Sequence, residues 1–596
     1  MKKMNKIKYI FLSGFAALIL NSCDSLDIEN TTSYDANLVW NDDALATAYV
    51  TNLYANVFDN WSCSADYASE QVHGMPFYDT SITLTSGNFK KFDYTTIRLI
   101  NEAIVKIEAG GLDQSVKDEL LGQVYFMRAY VYSDMVFYHG GIPYITVPQD
   151  KDKDDLYVSR NSTAECFNFL IADLDKAISM LPEKVSGASS EYGRIDQCFA
   201  KAYKAKVLLY KASPQFNPKS MYTNSHWQEA YEAAKTAYEF CVNKGAALTP
   251  SYSDIWLQEK GDEVVFAVVN SYPNKVAYWD YYVRPGSLSR STAQNPPTWN
   301  LVKAFPMLDG KSYNDPTGKY YVGTEADLLQ SFWKNRDPRF ASSILYNGDL
   351  YPVQGTKSGY RQYTALGIAD QDDSYGTNPK AGVNATNNDF NTGFFVRKGS
   401  DLSLSQDLVA TYSIDYILMR FAEVMLTYAE TANETGHQDV ALEMLKQIRK
   451  RAGIEAGSDN MYGIAGTDRE TLRKAILDER NVEFCFEGHR FMDLRRTRNM
   501  MKLNGLEKFG VEAIAINADG TDMNLNEAKE KAVKFELKPE NFRYKLQQVP
   551  LSKNSEKQFL VKESYYFFPI QQSKIDENQN LQQNIDWGGT FNPALE

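Results

Sequence analysis

Within ERNVEFCFEGHRFMDLRR, residues 479–496, Glu479, Glu483 and Glu487 recur every four residues. A helix would set all three carboxylates on one face. Two such carboxylates can hydrolyse a glycosidic bond, one protonated as the acid and one ionised as base or nucleophile. The same stretch carries Arg480, His489, Arg490, Arg495 and Arg496, and Arg420, Arg449 and Arg451 precede it. Neighbouring arginine holds a carboxyl ionised and can satisfy it with two hydrogen bonds. Val482, Phe484, Phe486, Phe491 and Leu494 are threaded between these charges, so some charges must approach a core, where they need partners. The expectation is an Arg–Glu network that locks the last helix pair onto the rest. No catalytic residue is assigned.

Other reactive patterns are weak. The five histidines, His73, His139, His226, His437 and His489, show no HExxH spacing. Asp370, Asp372 and Asp373 lack the EF-hand pattern and read as a solvated acidic loop. Cys166, Cys198, Cys241 and Cys485 sit in helix-like apolar patterns and are expected as buried thiols, with no disulfide framework. There is no CxxC pair, Walker A loop or GxSxG elbow. No metal and no cofactor is predicted.

Aromatic residues offer a different chemistry. They make up 13% of the chain, with 39 Tyr and 31 Phe. Tyrosine combines an apolar ring with a polar tip, which suits the flat C–H faces and hydroxyls of a sugar. Two clusters are candidates for ligand contact. The first is Trp61, Tyr67, Phe77 and Tyr78; the second is Tyr278, Trp279, Tyr281, Tyr282 and Arg284. The net charge of −13 repels phosphate backbones and argues against nucleic acid as a partner.

The elements that must position these residues are mostly helical. Leu418, Ala422, Met425, Ala429 and Ala432 form one stripe, and Ala441, Leu445, Ile448 and Ala452 resume it after Gly436. This reads as a helix–turn–helix pair of tetratricopeptide type. Earlier helical segments are read over 101–108, 119–138, 163–181, 194–212 and 227–241. Residues 263–269 read as a strand, 295–305 as a turn into a short helix, and 526–535 as a helix. The stretch from about 270 to 405 is rich in Gly, Asn, Asp, Pro and Tyr and reads as long ordered loops.

The N-terminus is basic and then apolar from Tyr9 to Leu20, too short for a membrane span and shaped like a secretory signal. Leu20-Asn21-Ser22-Cys23 resembles a bacterial lipobox, which makes Cys23 the expected lipidation site and membrane lipid an expected partner.

Taken in order, several blocks resemble the SusD/RagB family of outer-membrane nutrient-binding lipoproteins of Bacteroidota. They are the lipobox, VYFMRAYVYSDMVFYHGGIPYI (124–145), the segments 193–212 and 226–240, NRDPRF (335–340), 417–453, 477–496 and YYFFPIQQSKIDENQNLQQN (565–584). The resemblance implies a mainly α fold, with tetratricopeptide-like helix pairs supporting a loop-rich half with few short strands. It implies a signal peptide at 1–22, a tether at 23–35 and a single domain over 36–596. Within that domain the helical scaffold would lie at about 95–245 and 410–500, the loop-rich insertion at about 270–405, and a C-terminal segment at 501–596. It also implies a non-catalytic lid on a SusC-like TonB-dependent transporter that captures oligosaccharides, or peptides in some relatives. In sugar-binding relatives part of the ligand site follows the strand equivalent to 263–269, which favours the second aromatic cluster. A surface glycoside hydrolase is the alternative from another class.

Overall fold

The computed structural model describes residues 36–62, 66–73, 82–85, 92, 94–185, 190–291, 294–365, 367–368, 392–549 and 558–596. Cys23 and the segment before it, Phe77, Tyr78, and the acidic loop at 370–373 lie outside the described residues.

Six helices build the first part of the scaffold: α1 (Asp43–Val57), α2 (Tyr94–Ala109), α3 (Gln114–His139), α4 (Thr163–Met180), α5 (Gln197–Ala212) and α6 (His226–Asn243). Their starts are encoded locally. Asp42 and Asp196 cap α1 and α5, and Ser162 with Glu165 forms a capping box on α4. From α2 onward each helix packs on the next. Side-chain bonds fasten the layers: Arg128 of α3 grips Asp173 of α4 through Nε and Nη2, at 2.8 and 2.7 Å.

After α6 the chain leaves the stack. It forms β1 (Val264–Val268), α7 (Trp279–Val283), α8 (Trp299–Ala304), α9 (Pro338–Ser343), β2 (Ile344–Tyr346) and β3 (Phe394–Val396). It returns through β4 (Tyr416–Arg420) into α10 (Phe421–Glu434), α11 (Gln438–Ala452), α12 (Arg469–Glu483) and α13 (His489–Arg496). The antiparallel pairing of β1 with β4 ties the two ends of the excursion together. Helix α10 then packs against α6, as though the intervening residues were absent. Ala422, Ala429 and Ala432 are fully buried on α10, and their small side chains allow neighbouring helices to approach closely.

Two features depart from the sequence reading. Residues 416–420 form a strand, so Leu418 heads no helical stripe; pairing with β1 decides the conformation of this apolar run. Cys198 and Cys241 form a disulfide between α5 and α6, where two buried thiols were expected. Direct packing of these helices brings the Cα atoms to 5.5 Å, inside the range a disulfide spans. Cys166 and Cys485 are free and buried. Beyond α13, β5 (Lys508–Ala515) pairs along its whole length with β6 (Phe542–Val549), with helix Leu525–Val533 between them. No helix of the described residues is long and apolar enough to cross a membrane.

Apolar side chains gather into two main cores. One runs through the helical stack, and the other fills the loop-rich half around Trp61, Trp256, Trp279, Trp299 and Phe332. The stretch at 479–496 belongs to both. Phe484, Phe491 and Leu494 enter the first core, whereas Val482, Cys485 and Phe486 enter the second.

Candidate functional site

Helix α12 ends at Glu483, and the chain turns sharply before α13. Phe486 and Gly488 both adopt positive φ, at 67° and 79°. That conformation costs a non-glycine residue about 1–2 kcal/mol. The turn sends Phe484 and Phe486 into opposite cores and leaves the carboxylates of α12 facing a set of bases.

Arg420, at the end of β4, is the hub. Its Nη1 donates to Glu263 and Glu483, at 2.8 and 2.6 Å. Its Nε and Nη2 clasp Glu487 at 2.8 and 2.9 Å. Arg451 bridges Glu263 and Glu483. Arg339, from NRDPRF, reaches Asp337, Glu479 and Glu483 at 2.6–2.7 Å. Arg449 holds the other oxygen of Glu479 at 2.7 Å, and Lys398 pairs with Glu487 at 2.6 Å. Five basic side chains (Arg339, Lys398, Arg420, Arg449, Arg451) therefore face five carboxylates (Glu263, Asp337, Glu479, Glu483, Glu487). A second cluster lies beside α13, where Arg496 binds Glu430 through two bonds and shares Asp493 with Arg480.

Electrostatics fix the state of these groups. Burial alone would raise Glu487, but the charges of Arg420 and Lys398 outweigh it and hold the carboxyl at about 2. Glu483 and Glu479 are buried too, yet adjacent arginines hold both below the ordinary carboxylate range. Carboxylates kept ionised and sealed from solvent make poor general acids. For Glu479, Glu483 and Glu487 the geometry supports the expected network rather than acid–base chemistry. Among the described residues, no group of three or more His, Cys, Asp and Glu side chains is placed to hold a metal ion.

The network carries the aromatic surface. Lys398 Nζ donates to the carbonyl of Cys485 at 2.8 Å and lies 4.4 Å from the Trp256 ring centroid. The carbonyl of the same lysine accepts the Trp279 indole N–H at 2.8 Å. Trp279 stacks on Trp61 with centroids 3.9 Å apart and planes at 2°, and the Trp61 indole donates to the carbonyl of Phe486 at 2.7 Å. Gly399 makes room for this stack: a Cβ there would lie 3.0 Å from both indoles. On the same side of α7, Arg284 binds Asp280 and donates to the carbonyls of Leu404 and Asp401.

Helix α7 therefore divides the second predicted cluster. Trp279 and Arg284 are 1% and 0% exposed. Their expected ligand contact is corrected to packing, because their polar atoms are bonded inside the protein and the Trp279 ring lies against Trp61. Trp61 is buried for the same reason, and Tyr67 is half-buried against the second core. Tyr278, Tyr281 and Tyr282 lie on the other side. Tyr278 is 43% exposed, its two neighbours are partly exposed, and the three ring centroids stand 5.2–6.1 Å apart.

Sequence reasoning missed Lys398, Glu263, Asp337 and Arg339 as network members. Arg339 had a signal, since NRDPRF sets two arginines around Asp337 beside Phe340. Its neighbour Arg336 is also buried, donating to the carbonyls of Val302, Phe305 and Phe332. Nothing local to Lys398 marks it, because its partners lie more than eighty residues away.

Comparison with known proteins agrees with this architecture. The model of the SusD family matches residues 262–587, and a second model, described as starch-binding and associating with the outer membrane, matches 27–209. SusD-like protein P38 of Formosa agariphila is 24% identical over 543 residues, which span 85% of this chain and 94% of that protein. A SusD-like protein from Bacteroides fragilis overlays with a TM-score of 0.70 at 22% identity, covering 93% of this chain and 98% of the other. A SusD-like carbohydrate-binding protein from the same species overlays at 0.68 and 19% identity, covering 91% and 100%. These overlays establish a shared helical, tetratricopeptide-like scaffold.

Two outcomes are expected from the network. Arg420→Ala removes one partner from each of Glu263, Glu483 and Glu487, leaves the cluster with an excess of buried negative charge, and should cost about 3–5 kcal/mol in urea unfolding; a loss under about 1 kcal/mol would contradict the assignment. Glu487 has a folded pKa below its unfolded value of about 4.3. Its contribution is therefore complete above about pH 4.3 and lost as the pH falls toward about 2. Unfolding curves from pH 6 to 2 should show this decline, and in Glu487→Gln the decline should be shallower.

Proposed function

Because the chain belongs to the SusD family, we propose that it is a cell-surface lipoprotein, anchored through Cys23, that binds oligosaccharides without cleaving them. In this reading it serves as the lid of a SusC-like TonB-dependent importer in the outer membrane. The observation that carries the glycan-binding part is the tyrosine triad formed by Tyr281 and Tyr282 of α7 with Tyr278 at its N-cap. Tyr278 is exposed and Tyr281 and Tyr282 are partly exposed, while the other side of the same short helix is fixed by Trp279, Arg284 and Asp280.

This division suits a sugar. Tyrosine rings present apolar faces to pyranose C–H groups, and their hydroxyls exchange hydrogen bonds with sugar hydroxyls. A rigid mount removes part of the ordering cost that a mobile loop would bring to binding. The name of the overlaid Bacteroides fragilis protein supports a carbohydrate as the ligand class. Non-catalytic capture is consistent with the network, because Glu479, Glu483 and Glu487 are committed to arginine.

The test is migration of the purified protein in native gels cast with starch, laminarin or xylan. One of these is expected to retard it. The double variant Tyr281→Ala, Tyr282→Ala should abolish most of that retardation, a loss of about tenfold or more in affinity, while the melting temperature stays within about 2 °C. Trp279→Ala should instead lower the melting temperature by several degrees. Undiminished retardation of the double tyrosine variant would overturn the assignment of the triad. New reducing ends released from any polysaccharide would overturn the non-catalytic reading.

A further inference from the structure

Strands β5 and β6 form a sheet of two, so each has an outer edge. Their register shows which backbone groups face those edges. Opposed residues of an antiparallel pair alternately exchange both bonds or turn both groups outward. On β5 the outward groups have partners. The Phe509 N–H donates to Asn300 Oδ1 at 3.2 Å, and the Val511 N–H to the Thr392 carbonyl at 2.8 Å. Across the ladder these two residues face Gln548 and Leu546, and Ala513 between them and the turn faces Tyr544. The outward groups of β6 therefore belong to Tyr544, Leu546 and Gln548.

At Tyr544 this edge is already occupied by an amide. The carboxamide of Gln330, just past helix Glu325–Leu329, accepts the Tyr544 N–H at 3.0 Å and donates to the Tyr544 carbonyl at 2.8 Å. One side chain thus makes both bonds that a neighbouring strand would make there. Beyond it the edge is open. Leu546 is 41% exposed and Gln548 is partly exposed. Among the described residues, the outward N–H and carbonyl of these two have no hydrogen-bond partner. The side chains of Tyr544 and Leu546 share one face, and the Trp333 ring stands 5.4 Å from that of Tyr544.

We propose that the outer edge of β6 takes an extended peptide segment of a partner protein, which continues from the Gln330 amide along Leu546 and Gln548. An exposed strand edge is a template for another chain, and strand addition gives affinity through main-chain bonds. The outward groups recur every second residue, about 6.8 Å apart. A second peptide strand repeats its own donors and acceptors at that spacing. The seated Gln330 amide shows the chemistry that this edge accepts. On the Tyr544 face, alternate side chains of the segment would meet Leu546 and Trp333, so those positions suit apolar residues. The edge shares no residue with the tyrosine triad and does not depend on what the triad binds.

Hydrogen exchange resolved to single amides tests it on the purified protein. The probe is the acetylated, amidated peptide Thr-Val-Thr-Val-Thr, and the control is its fully N-methylated form, which has no backbone donor. Without peptide, the amides of Leu546 and Gln548 should exchange about tenfold faster or more than those of Lys545 and Gln547, which point into the ladder. The peptide should slow the first two about tenfold, and the N-methylated form should not. Leu546→Pro removes an outward N–H and no ladder bond, as proline at an edge permits. In titration calorimetry it should weaken the peptide about tenfold or more. Gln330→Ala frees both groups of Tyr544 and should tighten the peptide about threefold. Tyr281→Ala with Tyr282→Ala should leave peptide binding unchanged. Equal exchange at all four amides, no protection by the peptide, or a Leu546→Pro variant that binds it as well as wild type would overturn the proposal.

Discussion

Arg420 makes ionic contact with Glu263, Glu483 and Glu487 in a site that is 1% exposed. Burying one such charge without a partner is prohibitive, so the guanidinium can occupy this place only together with carboxylate partners. They come from the edge of β1, the end of α12 and the turn beyond it. Arg339 adds α9, Arg449 and Arg451 add α11, and Lys398 adds the segment after β3. The cluster forms only when the helical stack and the loop-rich half are assembled together. It need not add much net stability, since well-packed apolar groups of the same shape can serve as well. Its effect is to make partial assembly costly, because each missing element leaves buried charges short of a partner.

The consequence at the surface follows through Lys398. One lysine places its ammonium on Glu487 and its backbone carbonyl under the Trp279 indole. A stacked pair of indoles then joins the turn at Phe486 to helix α7. Tyr281 and Tyr282 of α7, with Tyr278 at its N-cap, thus stand on a mount whose far end is the ion cluster. This arrangement gives a short helix in a loop-rich region a fixed position, as the proposed binding surface requires.

The sequence reveals this unevenly. The helices of the stack are legible because their apolar residues repeat at helical spacing and their caps are local. The network is partly legible, since glutamates at every fourth residue among arginines and phenylalanines must be paired. What local pattern cannot show is partners brought together by the fold. Leu418 reads as the head of a helical stripe until β1 claims residues 416–420 as a strand. Cys198 and Cys241 read as separate thiols because a disulfide needs only proximity, and helix packing supplies it. The aromatic clusters show the same limit. Composition marks Trp61, Trp279 and Arg284 as binding residues, but their side chains turn inward, and only the three-dimensional structure separates them from Tyr278, Tyr281 and Tyr282.

Hydrogen exchange tests the link between the buried charges and the proposed binding surface most directly. The amides of residues 278–284 would be compared between wild type and Arg420→Met, under conditions where both remain folded. If the ion cluster fixes the platform, these amides should exchange faster in the variant, while those in the middle of Gln114–His139 keep their protection. Unchanged exchange at 278–284 would show that α7 is held independently of the cluster and would contradict the account.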